Sequence, residues 1–330
     1  MPDFPEYIET SNLFRQAAMN GEAAVVADLT ASWVLVEQAI EEDLLAMLAR
    51  YEAGSEIPIS YIIRSAQYQA LLEQMEAYIA LFEEAWTPEL EVLFREMGNL
   101  GSGSAVAMAS LFEAEMPGVI AAFSVLPVGA IENIMAQAAA GRPLDVLLSN
   151  MYPLATDGLT EALITNVALG INPRMIAKVA SQLGLSDSLN HILLVARDQS
   201  NRAFRTASLQ TYEQSGVVRG VRRISARLLT TCFMCLQLDG TFYTLDEAYN
   251  AEFHPQDRCT FIPDVEGMPT LQWEPAMSWF EGLSPADQIE MLGPGRYELW
   301  QRGIPLENQF RIIPNDIWGP SPVPIPIGSL

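Results

Sequence analysis

The chain has 330 residues, half of them hydrophobic and 18% charged, and it carries a net charge of −23 at pH 7. This length and composition predict a folded protein of about two domains with a sizeable core, and they exclude a chain that is disordered throughout. An acidic surface repels phosphate groups, so we expect neither extensive nucleic-acid binding nor docking on anionic membranes, whereas a basic partner surface would suit it.

The N-terminal region, 1–100, is predicted to consist of long helices. It begins without the basic and apolar segments of a signal peptide, and no uninterrupted apolar run has the roughly 18 residues of a membrane span. Apolar residues recur at steps of three and four between 12 and 50, as on one face of a helix. Ser60 is placed to cap a second helix that ends near Trp86, and Pro88 is placed to open a third.

The middle region, 101–185, is predicted to contain several shorter helices separated by proline and glycine. A glycine-rich stretch, 97–108, overlaps its start. This stretch lacks the Lys and Ser/Thr that follow the last glycine of a Walker phosphate-binding loop. We therefore expect it to be a flexible connection between helical blocks.

The region 186–265 is predicted to begin with a long helix that ends at Gly216. Its arginines Arg197, Arg202 and Arg205 give this helix a basic face, which is unusual in so acidic a chain. The residues after Gly216 are predicted to form β-structure, and the segment that carries the cysteines follows them.

The last region, 266–330, is predicted to alternate short helices with Gly-Pro stops and to end in a proline-rich tail. The tail prolines are too dense for a helix or a central strand, so we expect an extended or polyproline-like segment that lies along a neighbour's surface. The predicted fold class is mainly α with a small α+β subdomain, a helical N-terminal half and an extended C-terminal tail.

The three cysteines and one of the two histidines are close in sequence. Three is an odd number and a poor disulfide framework, which favours a reducing compartment, where clustered cysteines more often bind metal. Cys232 and Cys235 form a C-x2-C pair, and His254 and Cys259 follow. Zinc takes four N or S ligands in a tetrahedron, and a C-x2-C turn can present two thiolates. These four residues are the predicted ligands of a structural zinc ion.

Other interpretations of the cysteines stay open at this point. Their apolar neighbours would suit thiols that are simply buried in the core. A nucleophile pair of Cys259 and His254 lacks any oxyanion-hole signature. His191 is expected to be an ordinary residue of a helix. The Asp239–Gly240 pair between two apolar stretches predicts a tight-turn β-hairpin beside the C-x2-C pair.

The stretches "CFMCLQLDGTFYTL" and "HPQDRCTFIP" resemble the head morphogenesis, or minor head protein, family of tailed bacteriophages of the Mu-like type. That family typically shows C-x2-C, a Leu-Asp-Gly turn and then His-Pro-x-Cys-Arg-Cys. The helix around Arg197 and a downstream segment rich in tryptophan are also similar to the family. The resemblance covers roughly Leu185 to Leu306.

Three positions depart from the family pattern. Asp257 stands where the family usually has a cysteine, and Asp198-Gln199 replaces Thr-Glu. We interpret Asp257 as a solvated turn acid, with an oxygen ligand as the alternative. Arg197 and Arg258 are expected to bond backbone carbonyls or acids around the cysteines.

The resemblance implies a non-enzymatic virion protein. Such a protein would bind the portal protein, the major capsid protein or both during head assembly in the host cytoplasm, would be present in several copies and would remain in the head. One alternative is a metal-dependent enzyme that uses the Cys/His cluster, although neither H-E-x-x-H nor H-x-E with P-C-x-x-C is present. Another is an acidic intracellular adaptor that binds basic partners.

Overall fold

A computed structural model describes residues 4–49, 59–136, 144–168, 173–268, 273–314 and 320–330. The predicted fold class is confirmed: the chain is mainly helical, with one antiparallel sheet of three strands and one of two. The helices are α1 Phe4–Leu48, α2 Ile59–Ile63, α3 Ala66–Ser110, α4 Val128–Ala136, α5 Leu144–Leu148, α6 Met151–Ala168, α7 Pro173–Gly184, α8 Ser186–Ser215, α9 Phe233–Leu238, α10 Leu245–Ala248, α11 Ala276–Glu281, α12 Pro285–Leu292 and α13 Pro294–Gln301, and the strands are β1 Val218–Ile224, β2 Phe242–Tyr243, β3 Thr260–Val265, β4 Phe310–Ile313 and β5 Ser321–Pro324.

The chain divides into two compact units. Unit 1 comprises Met1–Gly21, Phe94–Gly141 and Arg197–Leu330, and unit 2 comprises Glu22–Leu93 and Arg142–Ala196. Both units are assembled from separate stretches of the chain, whereas the four predicted regions follow one another in the sequence. The helices α1, α3 and α8 contribute residues to both units.

Unit 2 is helical within the described residues. The indole of Trp33 on α1 is completely buried and meets the ring of Phe82 on α3 edge to face, with the centroids 5.0 Å apart. His191 on α8 is half-buried, and its Nε2 lies 2.7 Å from the carbonyl oxygen of Leu147. As expected, His191 is therefore an ordinary helix residue with a local partner.

The second predicted helix begins later than expected, and the third does not exist as a separate element. Ser60 lies inside the short helix α2. The hydroxyl of Ser65 accepts the backbone N–H of Tyr68 at 3.1 Å, so Ser65 caps α3. The helix then runs through Pro88 without a break. A proline inside a helix costs about 3 kcal/mol, and the burial of large apolar residues on both sides of Pro88, such as Phe82 and Leu90, offsets that cost.

The helix α1 is more apolar than the search for uninterrupted runs indicated. It contains an 18-residue window of mean hydropathy 1.4, so its length and composition would allow it to cross a membrane. Acidic residues interrupt its apolar runs, which is why the sequence analysis missed it. A core helix of a water-soluble protein can have the same composition, and α1 buries Leu29, Trp33 and Ile40 completely. The packing of this face accounts for part of its apolar character.

The glycine-rich stretch 97–108 is not a flexible connection, because all of it lies inside α3. Gly101 is a point of close helix packing in unit 1: a Cβ atom there would lie 2.0 Å from the carbonyl oxygen of Phe204 on α8. The hydroxyl of Ser208 donates to the Gly101 carbonyl at 2.8 Å. Glycine at this position therefore serves the contact between two helices.

We expect Gly101→Ala to destabilise unit 1 by about 1–3 kcal/mol, because the added methyl group must push the α8 backbone away. Gly103→Ala in the same helix is the matched control, since its Cβ would lie 3.5 Å from Cε1 of Phe14, an ordinary contact. There the loss of a helical glycine should stabilise the chain by roughly 0.5–1 kcal/mol. Denaturant titration of both variants checks the difference, and equal effects would contradict the packing role of Gly101.

The proline-rich tail is extended over the strand Ser321–Pro324, as predicted, and it lies against its own chain; a 3-10 helix, Ile327–Ser329, follows. Strand β5 pairs antiparallel with β4, with Pro322 opposite Ile312. Proline is tolerated there because each strand of this two-stranded sheet has a free edge. The hydroxyl of Ser321 donates to the carbonyl of Phe253 at 3.0 Å. Contact between the tail and a neighbouring protein stays a prediction.

Candidate metal centre

The segment that carries the first two cysteines is a helix, so the prediction of a β-hairpin there was wrong. Cys232 is the N-cap of α9, and its Sγ accepts the backbone N–H of Cys235 at 3.3 Å. The helix buries two faces: Cys235 packs in the core of the three-stranded sheet, whereas Phe233 and Met234 pack with the helices α11 and α12. Phe233 and Met234 are adjacent in the sequence and pack on the same side, whereas adjacent side chains of a strand point to opposite faces.

The Asp239–Gly240 pair is a turn, as predicted, but it joins α9 to β2. The carboxylate of Asp239 is completely buried and accepts hydrogen bonds from Ser225, Arg227 and Trp273. It therefore fixes the end of α9 against the strand β1.

The turn before β3 brings the histidine and the third cysteine back, as predicted. The backbone N–H of Asp257 donates to the carbonyl of His254 at 2.9 Å, which closes the turn. Nε2 of His254 lies 3.2 Å from Sγ of Cys232 and 3.4 Å from Sγ of Cys235. The ligand atoms of Cys235, Asp257 and Cys259 also lie within 4.8 Å of one another.

The ring of His254 has one nitrogen available to the sulfur atoms. Its Nδ1 lies 2.8 Å from the carbonyl oxygen of Pro255, and only a protonated Nδ1 can donate to that oxygen. In the neutral ring the lone pair is then on Nε2, which faces Cys232 and Cys235. This tautomer and orientation are the ones that metal-binding histidines adopt when a carbonyl holds the other nitrogen.

Asp257 is not a solvated turn acid: its side chain is completely buried. Nη2 of Arg223 donates to its Oδ2, and the backbone N–H of Cys259 donates to its Oδ1 at 2.7 Å. Burial alone would raise the pKa of this carboxyl, yet the charges of Arg223 and Arg205 hold the pKa well below its usual range. Asp257 is therefore a buried carboxylate rather than a neutral acid.

The two buried thiols are weak acids in the absence of a metal. Contact with Cys232, together with burial, raises the pKa of Cys235 well above its ordinary value. Burial, together with contact with Cys235 and the charge of Asp257, raises the pKa of Cys259. Because a metal binds the thiolate, metal binding here would release protons.

Arginines surround this cluster, and the sequence analysis singled out only some of them. Arg205 is buried instead of forming part of an exposed basic face, and it donates to the carbonyl of Asp257 at 3.1 Å. The guanidinium carbons of Arg205 and Arg223 lie 3.9 and 4.4 Å from the ring centroid of Phe253. Burial lowers the pKa of Arg205 to about 10, so it remains charged at neutral pH.

The arginines near the third cysteine connect it to other elements. The side chain of Arg15 on α1 donates to the carbonyl of Arg258 at 2.7 Å, and that of Arg258 donates to Oδ1 of Asn201 on α8 at 3.2 Å. This partner of Arg258 is a side-chain amide, whereas we expected backbone carbonyls or acids. The carbonyl of Arg197 accepts from the amide of Asn201 at 2.8 Å.

Cys232, Cys235, His254 and Cys259 thus lie close together and could hold a metal ion, with the Asp257 carboxylate among them. An ion at this point would bind α9 to the turn that precedes β3. The site offers a metal ion three kinds of ligand: the buried carboxylate of Asp257, the imidazole of His254 and the thiols of the cysteines. Comparison with protein-family models, with curated proteins and with solved structures found no match for this chain, so its function is argued from the site itself.

Proposed function

We propose that this chain is a structural minor head protein of a tailed bacteriophage, which binds the portal protein, the major capsid protein or both during head assembly. The observation that carries the proposal is the convergence of the C-x2-C pair, the Leu-Asp-Gly turn and the His-Pro segment in one buried cluster. These stretches carry the resemblance to the head morphogenesis family, and each has a definite place in unit 1.

A structural zinc ion is the second part of this proposal. Zinc–ligand bonds of about 2.3 Å to sulfur and 2.0 Å to nitrogen imply sulfur–nitrogen distances of about 3.5 Å in a tetrahedral site. The two distances from Nε2 of His254, 3.2 and 3.4 Å, are close to that value. The residues of the cluster therefore fit a zinc ion with Cys232, Cys235 and His254 as ligands and a fourth ligand from Asp257 or Cys259.

The site supports a structural role for this zinc ion. A zinc ion with four protein ligands has no position left for a substrate, and catalytic zinc sites keep one position open. Zinc would hold together a segment in which α9 has six residues, β2 has two and α10 has four. Elements this short supply little core of their own. The proposed protein has no catalytic activity, assembles in the host cytoplasm and remains in the head in several copies.

The test is the composition of virions and procapsids purified from the phage that encodes this chain. We expect mass spectrometry to find the chain in both, and a tagged full-length chain to co-purify with co-expressed portal or major capsid protein. The control is an unrelated protein of similar size and net charge. Binding that persists at 1 M salt is not caused by long-range attraction between charged surfaces, because the Debye length is then about 3 Å. Absence from both particles, without co-purification, would overturn the proposal.

A further inference from the structure

Two side chains compete for the fourth position around the proposed zinc ion, the carboxylate of Asp257 and the thiol of Cys259. Both are completely or almost completely buried, and both lie within reach of Cys235. They follow the same turn, but their side chains meet different neighbours. The contacts of each decide which of them faces His254.

The carboxylate lies close to two of the other three proposed ligands. Oδ2 of Asp257 is 3.4 Å from Sγ of Cys235 and 3.9 Å from Nε2 of His254. In a tetrahedral zinc site the corresponding distances are about 3.5 and 3.3 Å, from bond lengths of about 2.3 Å to sulfur and 2.0 Å to nitrogen or oxygen. Oδ2 of Asp257 does not belong to the group of ligand atoms that Cys232, Cys235 and His254 form within 4.8 Å, so the Asp257 side chain must also move toward Cys232 to complete the tetrahedron.

Sγ of Cys259 lies within 4.8 Å of the ligand atoms of Cys235 and Asp257, but it does not belong to the group that Cys232, Cys235 and His254 form. The residue also lines a small cavity together with Arg15, Phe204 and Asn201, which belong to α1 and α8. Among the described residues, no hydrogen-bond contact joins Sγ of Cys259 to His254 or to Cys232. Cys259 also belongs to the apolar core of the three-stranded sheet. These surroundings suit a buried thiol that packs as a small hydrophobic side chain.

Outer hydrogen bonds hold the carboxylate in this orientation. Arg223 donates to Oδ2 of Asp257, and the backbone N–H of Cys259 donates to Oδ1. Carboxylates that bind metals are commonly held by such outer partners. Each carboxylate oxygen has a second lone-pair direction, so Oδ2 can accept from Arg223 and still bind an ion. Arg223 would also neutralise the single negative charge that two thiolates and one carboxylate leave on a zinc ion.

We infer that Asp257 is the fourth zinc ligand, with Cys232, Cys235 and His254, and that Cys259 lies outside the coordination shell. This inference rests on the proposed zinc ion and replaces one of the four ligands predicted from the sequence. It makes the centre a site of two thiolates, one imidazole and one carboxylate.

The experiment uses the full-length chain loaded with zinc or with Co²⁺, whose charge-transfer absorption reports the number of bound thiolates. We expect Cys259→Ser to keep the zinc content and the absorption of the wild-type protein. Asp257→Cys should raise the absorption from that of two thiolates to that of three. Asp257→Asn should weaken zinc binding by more than the roughly 10- to 100-fold that loss of an outer-shell partner costs.

The matched control is Asp239→Asn. Asp239 is also completely buried and paired with an arginine, Arg227, but it lies at the other end of α9. This variant should lose stability and keep its metal affinity. A lower absorption in Cys259→Ser, with no rise in Asp257→Cys, would make Cys259 the ligand and overturn this inference alone. A wild-type chain that binds neither ion would overturn the zinc proposal and this inference together.

Discussion

Replacing Cys232 by serine is expected to abolish zinc binding and to unfold the segment of unit 1 that contains the cysteines. Cys232 is the most accessible of the three thiols, and its Sγ lies 3.2 Å from Nε2 of His254. The zinc ion would join α9 to the turn before β3, where few other contacts can replace it. Structural zinc contributes apparent folding free energies of about 10–16 kcal/mol in zinc-finger peptides. The loss of one ligand should therefore lower the free energy of unfolding several times more than a typical substitution does.

The same substitution has the opposite expected effect if no metal is bound. Cys232 is the N-cap of α9, where its sulfur accepts the backbone N–H of Cys235 at 3.3 Å. Serine is among the best N-cap residues, and a good cap contributes about 1 kcal/mol. If the thiol serves only as a cap, Cys232→Ser should therefore leave the free energy of unfolding unchanged or raise it slightly.

Thermal unfolding of the full-length chain, measured with and without a chelator, separates these two cases. We expect the chelator to lower the melting temperature of the wild-type protein to that of Cys232→Ser, and to leave the variant unchanged. Elemental analysis should find zinc in the wild-type protein and none in the variant. A variant that is as stable as the wild-type protein, whatever the chelator, would contradict the zinc proposal.

The sequence predicted which residues form the centre better than it predicted the elements that carry them. The spacing of Cys232, Cys235, His254 and Cys259 indicated that they meet, because a turn after His254 returns the chain. It did not indicate that α9 is a helix. A short apolar run has no period that distinguishes strand from helix, and here the packing of two separate faces decided it.

The buried partners of the centre were missed for a different reason. Arg223 precedes Asp257 by 34 positions, and no local pattern relates them. One signal was present: side chains alternate along a strand, so Arg223 lies on the same face of β1 as the fully buried Val221. An arginine on the core face of a strand requires a buried acceptor, and the acid in the His-Pro turn was the available one.

The long helices were predicted where their apolar period is strong, and the errors came at residues that usually end helices. Pro88 and the glycines between 97 and 108 were taken as breaks, although α3 continues through both. The unfavourable helix propensity of such a residue amounts to at most about 3 kcal/mol. Tertiary packing exceeds that preference, as the close approach of Gly101 to Phe204 illustrates.

Replacing Arg223 by methionine is expected to lower the free energy of unfolding by about 3–5 kcal/mol, because it breaks a buried ion pair and leaves the carboxylate of Asp257 without the arginine that bonds it. The side chains of both residues are completely buried. Arg223 also donates to the carbonyl of Glu252 at 2.5 Å and lies over the ring of Phe253. Methionine can fill much of the volume of the side chain, so the loss reports mainly the ion pair and these hydrogen bonds.

Arg219→Met on the same strand is the matched control. Arg219 pairs with Asp264 at 2.5 Å, but its side chain is 49% exposed. Exposed ion pairs contribute at most about 1 kcal/mol, so this variant should remain close to the wild-type protein. Denaturant titration of the two variants measures the difference. If the two variants lose the same free energy of unfolding, Asp257 tolerates burial without Arg223. The ion pair would then not be one of the interactions that stabilise the centre.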